Sequence, residues 1–170
     1  RESLAQRISA INNPHSASSP AKRETRKIRV LFCDDSKAMR DSQKVVLESQ
    51  GFSVFSTGNP FEALFKLKDE KFDFIVTDIS LGVFDGTKLF KSIEKEFPHY
   101  IQQKRFIFYT GIDEAHKVNI DVTGGRAILV MKLDLQNRLG DVLKRLITEA
   151  DSPPPSTTPL MMRVRLPILT

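Results

Sequence analysis

Four short stretches of this chain each end on a side chain that can do chemistry. Phe74-Ile-Val-Thr finishes on Asp78, and Ile28-Arg-Val-Leu-Phe-Cys33 runs into Asp34 and Asp35. Arg105-Phe-Ile-Phe-Tyr109 leads to Thr110-Gly111, and Ala127-Ile-Leu-Val-Met131 leads to Lys132. Three carboxylates within a few ångströms repel, and one takes up a proton unless a cation intervenes. A hard divalent ion is the simple remedy. Mg2+ suits it, because it accepts one or two carboxylates together with waters and phosphate oxygens. Lys132 adds a point charge for Asp78 or for an incoming phosphoryl oxygen, Thr110 offers a hydroxyl, and Gly111 leaves room for approach. The set suits transfer of a phosphoryl group onto a carboxylate, with Asp78 attacking in line while metal and ammonium neutralise the other oxygens. Each residue alone says little. An Asp after a strand is often a helix cap, and Asp35 or Ser36 is expected to cap the helix that follows. The joint pattern carries the reading.

The elements that must bring these residues together alternate along the chain. Strand 28–33 precedes a helix over about 37–50 that Gly51 closes. Val54-Phe55 marks a short strand, and Asn59-Pro60 opens a helix with Phe61, Leu64 and Phe65 on one face. Strand 73–77 follows, then Gly86 and a helix whose Leu89, Phe90, Ile93 and Phe97 form an inward stripe, stopped by Pro98. Strand 105–109, a polar helix near 113–120, a turn at Gly124-Gly125 and strand 127–131 come next. A last helix carries Leu135, Leu139, Val142, Leu143 and Leu146 on one side. Five strands alternating with five helices predict a three-layer α/β sandwich around a parallel sheet. The near-continuous apolar strands agree with a sheet covered on both faces. Right-handed crossovers place all strand C-termini on one edge, where ligand sites gather beside the point at which strand order reverses.

The totals narrow the function. The formal charge is +5, yet residues 28–150 hold 18 Lys+Arg and 18 Asp+Glu, so the body is neutral and the excess sits in the ends. A nucleic-acid binder would show its basic face on the folded body, which argues against nucleic acid. The single cysteine, Cys33, excludes an internal disulfide and a cysteine-based zinc site, and it reads as a small buried hydrophobe. No apolar run approaches the ~20 residues of a membrane span. Arg1 to Ile11 lacks the apolar core of a signal peptide, so a cytoplasmic location is expected. Residues 1–27 read as a helix fragment and basic linker, 28–150 as the domain, and 151–170 as a Pro-rich disordered tail. The chain opens on Arg1 rather than Met, so it is read as a candidate fragment of a longer protein.

Over roughly residues 28–149 the sequence resembles the receiver domains of two-component response regulators. The resemblance rests on Phe32-Cys-Asp-Asp35, Val76-Thr-Asp78-Ile-Ser-Leu, Asp85-Gly86, Tyr109-Thr110-Gly111 and Lys132. It implies a flavodoxin-like (βα)5 fold with strand order 2-1-3-4-5. It implies Asp78 as phosphoacceptor, with Mg2+ held by Asp35, Asp78 and the backbone carbonyl of Ser80 and assisted by Asp34 through water. Thr110 and Lys132 would contact the phosphoryl group. The donor would be a phosphohistidine on a sensor histidine kinase or a histidine phosphotransfer protein. The output would be a downstream protein target or a fused domain. A second copy meeting through helix 113–120 and strand 127–131 is an optional further partner. Such a protein assists its own phosphorylation and dephosphorylation but is not an enzyme.

Four positions depart from the family pattern. Leu133 follows Lys132 where proline and a cis peptide are usual, Leu129 stands where an aromatic switch residue is common, and Gly82 replaces a frequent proline. Ile112 lies where a polar side chain helps place water, and an apolar group there predicts slow autodephosphorylation. Three readings therefore stand side by side. They are a phosphorylation-dependent switch, a pseudo-receiver that binds partners without phosphorylation, and a small Mg-dependent phosphatase with an aspartyl intermediate.

Overall fold

The computed structural model describes residues 26–111, 123–132 and 138–151. Its strands are β1 (Arg29–Cys33), β2 (Ser53–Thr57), β3 (Phe74–Thr77), β4 (Phe106–Thr110) and β5 (Ile128–Met131). Between and after them lie α1 (Lys37–Ser49), α2 (Pro60–Asp69), α3 (Gly86–Glu96), the single turn α4 (His99–Gln102) and α5 (Arg138–Asp151). All neighbouring strands are parallel, in the order β2-β1-β3-β4-β5. The register aligns the strand ends, with Cys33 beside both Thr57 and Thr77 and Thr110 beside Met131. The residues that follow Cys33, Thr77 and Met131 therefore emerge along one edge.

Side-chain alternation divides the core in two. Leu31, Cys33, Ile75 and Phe108 point to the face covered by α2, α3 and α4, where Ala63, Leu67, Phe90 and Ile93 meet them. Val30, Phe32, Val76 and Tyr109 point to the face covered by α1 and α5, where Leu47, Leu139 and Leu143 close the layer. Both faces of β1, β3 and β4 are buried, which is why those strands read as unbroken apolar runs.

The helix ends follow the predicted chemistry. Ser36, not Asp35, caps α1, its hydroxyl accepting from the Met39 amide. Gly51 takes φ +96° just past that helix, a left-handed position glycine reaches without strain. Asn59 caps α2 with Pro60 at its first position, and Asp85 caps α3 by accepting from the Thr87 amide at 2.8 Å.

Two features of the sequence reading need refinement. Of Phe61, Leu64 and Phe65, only Leu64 turns partly to the core. The core takes Pro60, Ala63 and Leu67, while Phe61 and Phe65 stay 63% and 65% exposed. Thr110 is the last residue of β4 rather than the first beyond it. The expected helix near 113–120, Ile112, the Lys132–Leu133 peptide, Leu135 and both ends of the chain lie outside the described residues. Among the described residues, no helix is long and apolar enough to cross a membrane.

Candidate functional site

The switch point of this sheet lies between β1 and β3, since β2 is on one side of β1 and β3, β4 and β5 follow on the other. Asp34 leaves β1 there and Asp78 leaves β3. The Asp78 amide donates to the Cys33 carbonyl at 2.9 Å, and the Asp34 amide to the Thr57 carbonyl at 3.1 Å. The ladder thus continues one residue beyond the strands and fixes both acids side by side. Lys132 arrives from β5, its own amide bonded to the Thr110 carbonyl at 2.7 Å.

The side chains converge. The Lys132 ammonium donates to Asp34 Oδ2 at 2.8 Å and to Asp78 Oδ2 at 2.5 Å. It lies 5.8 Å above the ring of the buried Tyr109. Burial alone would lower the Lys132 pKa, but the bonds to Asp34 and Asp78 outweigh it and hold the ammonium above the ordinary lysine value. Asp34 is fully buried and Asp78 nearly so, while Asp35 is exposed at the rim. The other oxygen of each buried acid faces backbone. Asp34 Oδ1 accepts from the Ser36 amide at 2.9 Å, and Asp78 Oδ1 from the Ile79 amide at 2.7 Å. Thr110 is buried at the end of β4, and Ser80 lies half-buried two residues past Asp78.

Two supports were not foreseen. Arg40, one turn into α1, donates through one terminal nitrogen to the Asp34 carbonyl at 2.7 Å and the Asp35 carbonyl at 3.0 Å. It clamps the turn that carries both acids. A Cβ on Gly58 would stand 2.6 Å from that nitrogen. On the other side, a Cβ on Gly86 would stand 2.1 Å from the Asp78 carbonyl oxygen, so only glycine lets α3 start this close to the end of β3. The Asp85-Gly86 pair is visible in sequence, whereas nothing in the spacing of Arg40 marks it as more than a helix-surface arginine.

The donor set fits a small hard cation. One carboxylate oxygen from each of Asp34, Asp35 and Asp78 lies within 4.8 Å of the others. Oxygens on one octahedral Mg2+ at about 2.1 Å are at most ~4.2 Å apart, a separation inside that limit. Three acids against one ammonium also leave net negative charge in a largely buried pocket, the condition a divalent ion relieves.

Comparison with known proteins identifies the family. The model of the response regulator receiver domain matches residues 30–144. This chain belongs to the response regulator receiver family. Solved receivers share its fold. The response regulator TrrA of Thermotoga maritima, in complex with Mg2+ and BeF, is 23% identical with a TM-score of 0.60, over 70% of this chain and 98% of that one. The chemotaxis response regulator CheY4 of Vibrio cholerae is 22% identical with a TM-score of 0.60, over 71% and 98%. A CheY-like receiver of Methanospirillum hungatei JF-1 is 25% identical with a TM-score of 0.58, over 73% and 97%. In this receiver the three acids, Thr110 and Lys132 come to one strand edge. The residue at the switch position, Leu129, is 44% exposed on β5.

Proposed function

We propose that this receiver accepts a phosphoryl group on Asp78 from a phosphohistidine donor, with Mg2+, and uses the modified state to change its affinity for a protein partner. The observation that supports this most is the single ammonium shared by Asp34 and Asp78. Asp35, Asp78 and the Ser80 carbonyl would hold the ion directly, with Asp34 assisting through water. When bound, the ion supplies positive charge against the phosphoryl oxygens.

The residues of the chain do the rest. The Ile79 amide holds Asp78 Oδ1, so Oδ2 is the oxygen that forms the new bond to phosphorus. As the O–P bond forms, the P–N bond to the donor histidine breaks, and the imidazole keeps that electron pair and takes up a proton. Oδ2 carries negative charge before transfer and is the bridging oxygen of an acyl phosphate after it. The Lys132 ammonium then loses that partner and moves its bond to a phosphoryl oxygen, still anchored by Asp34. The Thr110 hydroxyl, at the end of the neighbouring β4, approaches the same group. Arg40 keeps the Asp34–Asp35 turn from yielding as charge accumulates.

The donor is a sensor histidine kinase or a histidine phosphotransfer protein, and the recipient of the signal is a protein target or a fused output domain. The test is intact mass after incubation with Mg2+ and a small acyl phosphate. Wild-type protein gains one phosphoryl group and Asp78→Asn gains none. Absence of any gain points instead to a phosphorylation-independent binding module. Steady turnover of a phosphomonoester points to a phosphatase.

A further inference from the structure

The outward face of α2 has no counterpart in the phosphoryl site. Phe61 and Phe65 stand one turn apart on it, about two-thirds exposed, in a helix whose buried side is already complete. Two contacts pin this edge of α2 against α3. At one end the Phe61 ring packs on Phe84 with centroids 4.9 Å apart. At the other, Lys68 pairs with Glu96 at 3.4 Å. Along the exposed side of the neighbouring α3 run Lys88, Lys91 and Lys95 at i, i+3 and i+7. The acids of α3 do not balance them, since Glu94 is engaged by Arg126 and Glu96 by Lys68. Among the described residues none of the three lysines has a carboxylate partner.

We infer that the α2–α3 face is a docking surface for an acidic amphipathic helix of another protein, with apolar side chains covering Phe61 and Phe65 and carboxylates facing Lys88, Lys91 and Lys95. Charge selects this occupant. The ends of the chain itself are basic, with Arg163 and Arg165 the only charges after Asp151 and six basic against two acidic residues in 1–27. A second copy meeting this face through its own would set lysines against lysines. The geometry fits a helix as well. Lys88 to Lys95 spans about 10 Å, roughly two turns, which matches two turns of a partner helix laid along them. Phe84 belongs to the segment that leads from Asp78 into α3, so the docking face begins where the acceptor loop ends.

The probe is a synthetic fifteen-residue helical peptide with leucines at i, i+3, i+4 and i+7 and glutamates along one flank, titrated into the isotope-labelled protein. The expected result is saturable amide shifts confined to α2 and α3. Affinity falls at least tenfold in Phe61→Ser/Phe65→Ser, and likewise in Lys88→Glu/Lys91→Glu/Lys95→Glu. A peptide with lysines in place of glutamates binds the triple-Glu variant and not the wild type. Phe65 and the three lysines are exposed, so unchanged melting temperatures in Phe65→Ser alone and in the lysine variant separate lost docking from lost fold, while Phe61→Ser also gives up the contact with Phe84. No shifts at millimolar peptide, or equal binding of both peptides by wild type, overturns the inference. So does sedimentation with phosphatidylglycerol vesicles that the same substitutions abolish, or concentration-dependent self-association through these residues.

Discussion

Asp73 enters β3 and Asp78 leaves it, four strand residues apart, and both are largely buried. Their surroundings differ in the ratio of donors to acids. Asp73 is alone among cations and amides. The Arg26 guanidinium holds it bidentately at 2.7 and 2.9 Å, and the Arg29 amide adds a third bond at 2.8 Å. Burial by itself would raise its pKa. The bonds from Arg26 and from the Arg29 amide more than offset that, and the carboxyl sits below its ordinary value. Asp78 is one of three acids around a single ammonium. A carboxylate with a surplus of donors is a fixed structural group. One that shares its cation with a second buried carboxylate sits in a field that favours a further cation. If Asp78 is the phosphoacceptor proposed above, the two ends of one strand separate holding the fold from doing the chemistry.

The sharpest way to break this contrast is to neutralise each acid in turn. Asp78→Asn removes phosphodonor-dependent mass gain completely, yet leaves stability within about 1 kcal/mol, because it relieves repulsion as it loses an ion pair. Asp73→Asn does the reverse. Mass gain persists, and urea unfolding shows a loss of about 2 kcal/mol, since charge-assisted bonds to a buried carboxylate are replaced by weaker ones. The Arg29 amide carries most of that loss. The Arg26 side chain is 67% exposed, and Arg26→Ala costs less than about 1 kcal/mol. If Asp73→Asn abolished modification, or Asp78→Asn unfolded the protein, the division of roles would be wrong.

Lys132→Ala probes the active end alone. It leaves Asp34 and Asp78 buried without their cation, and the expected cost is about 3 kcal/mol, the low end for breaking a buried pair because one acid can take up a proton. Mg2+ at a hundredfold over its dissociation constant should return about 2.7 kcal/mol. The melting temperature of the variant therefore rises with Mg2+ while modification stays slow. A variant insensitive to Mg2+ would mean the acids do not hold the ion.

Much of this was legible in sequence because it depends on periodicity and on strand ends. Unbroken apolar runs marked the buried strands, Asn59-Pro60 and Gly51 marked helix ends, and the residue after each strand marked the site edge. The parallel register then carries Asp34, Asp78 and Lys132 together without further information. What the pattern did not disclose depends on direction and reach. Phe61 and Phe65 satisfy helical spacing, and so do Ala63 and Leu67, with Leu64 packed between. Which set faces the sheet is settled by packing against β1 and α3, not by hydrophobicity. Arg40 finds the Asp34 and Asp35 carbonyls only because a flexible side chain folds back over the N-terminus of α1, beside a glycine that leaves space. The Arg26–Asp73 pair joins residues 47 apart, and no local rule relates them.

Acid sharpens the same comparison more gently. A carboxylate whose folded pKa is depressed adds stability above its unfolded value, and that contribution is lost as pH falls through the folded one. For Asp73 the window opens below the ordinary aspartate value of about 3.9. Stability measured by urea titration should fall over this range in wild type and less steeply in Asp73→Asn. Equal slopes would mean that Arg26 and the Arg29 amide do not hold the charged form.

The smallest effect expected lies between the two acids' surroundings, at Cys33. This thiol is fully buried at the end of β1, next in sequence to Asp34. Burial pushes it up to about 12, with the hydrogen bond to Thr77 opposing and the neighbouring Asp34 charge adding to the rise. A group whose folded pKa is raised stabilises the protein fully below its unfolded value, and that contribution is lost as pH climbs towards the folded one. Cys33 therefore contributes nothing pH-dependent at neutrality, and its contribution fades above about pH 9, at the alkaline end of the range. Its second signature is kinetic. The thiolate is the reactive form, so alkylation by iodoacetamide at pH 8 should proceed only through global unfolding, at a rate that rises with urea. Rapid labelling of the native protein would show that the pocket beside Asp34 opens to solvent, and the dry, charge-rich setting ascribed to Asp78 would fail with it.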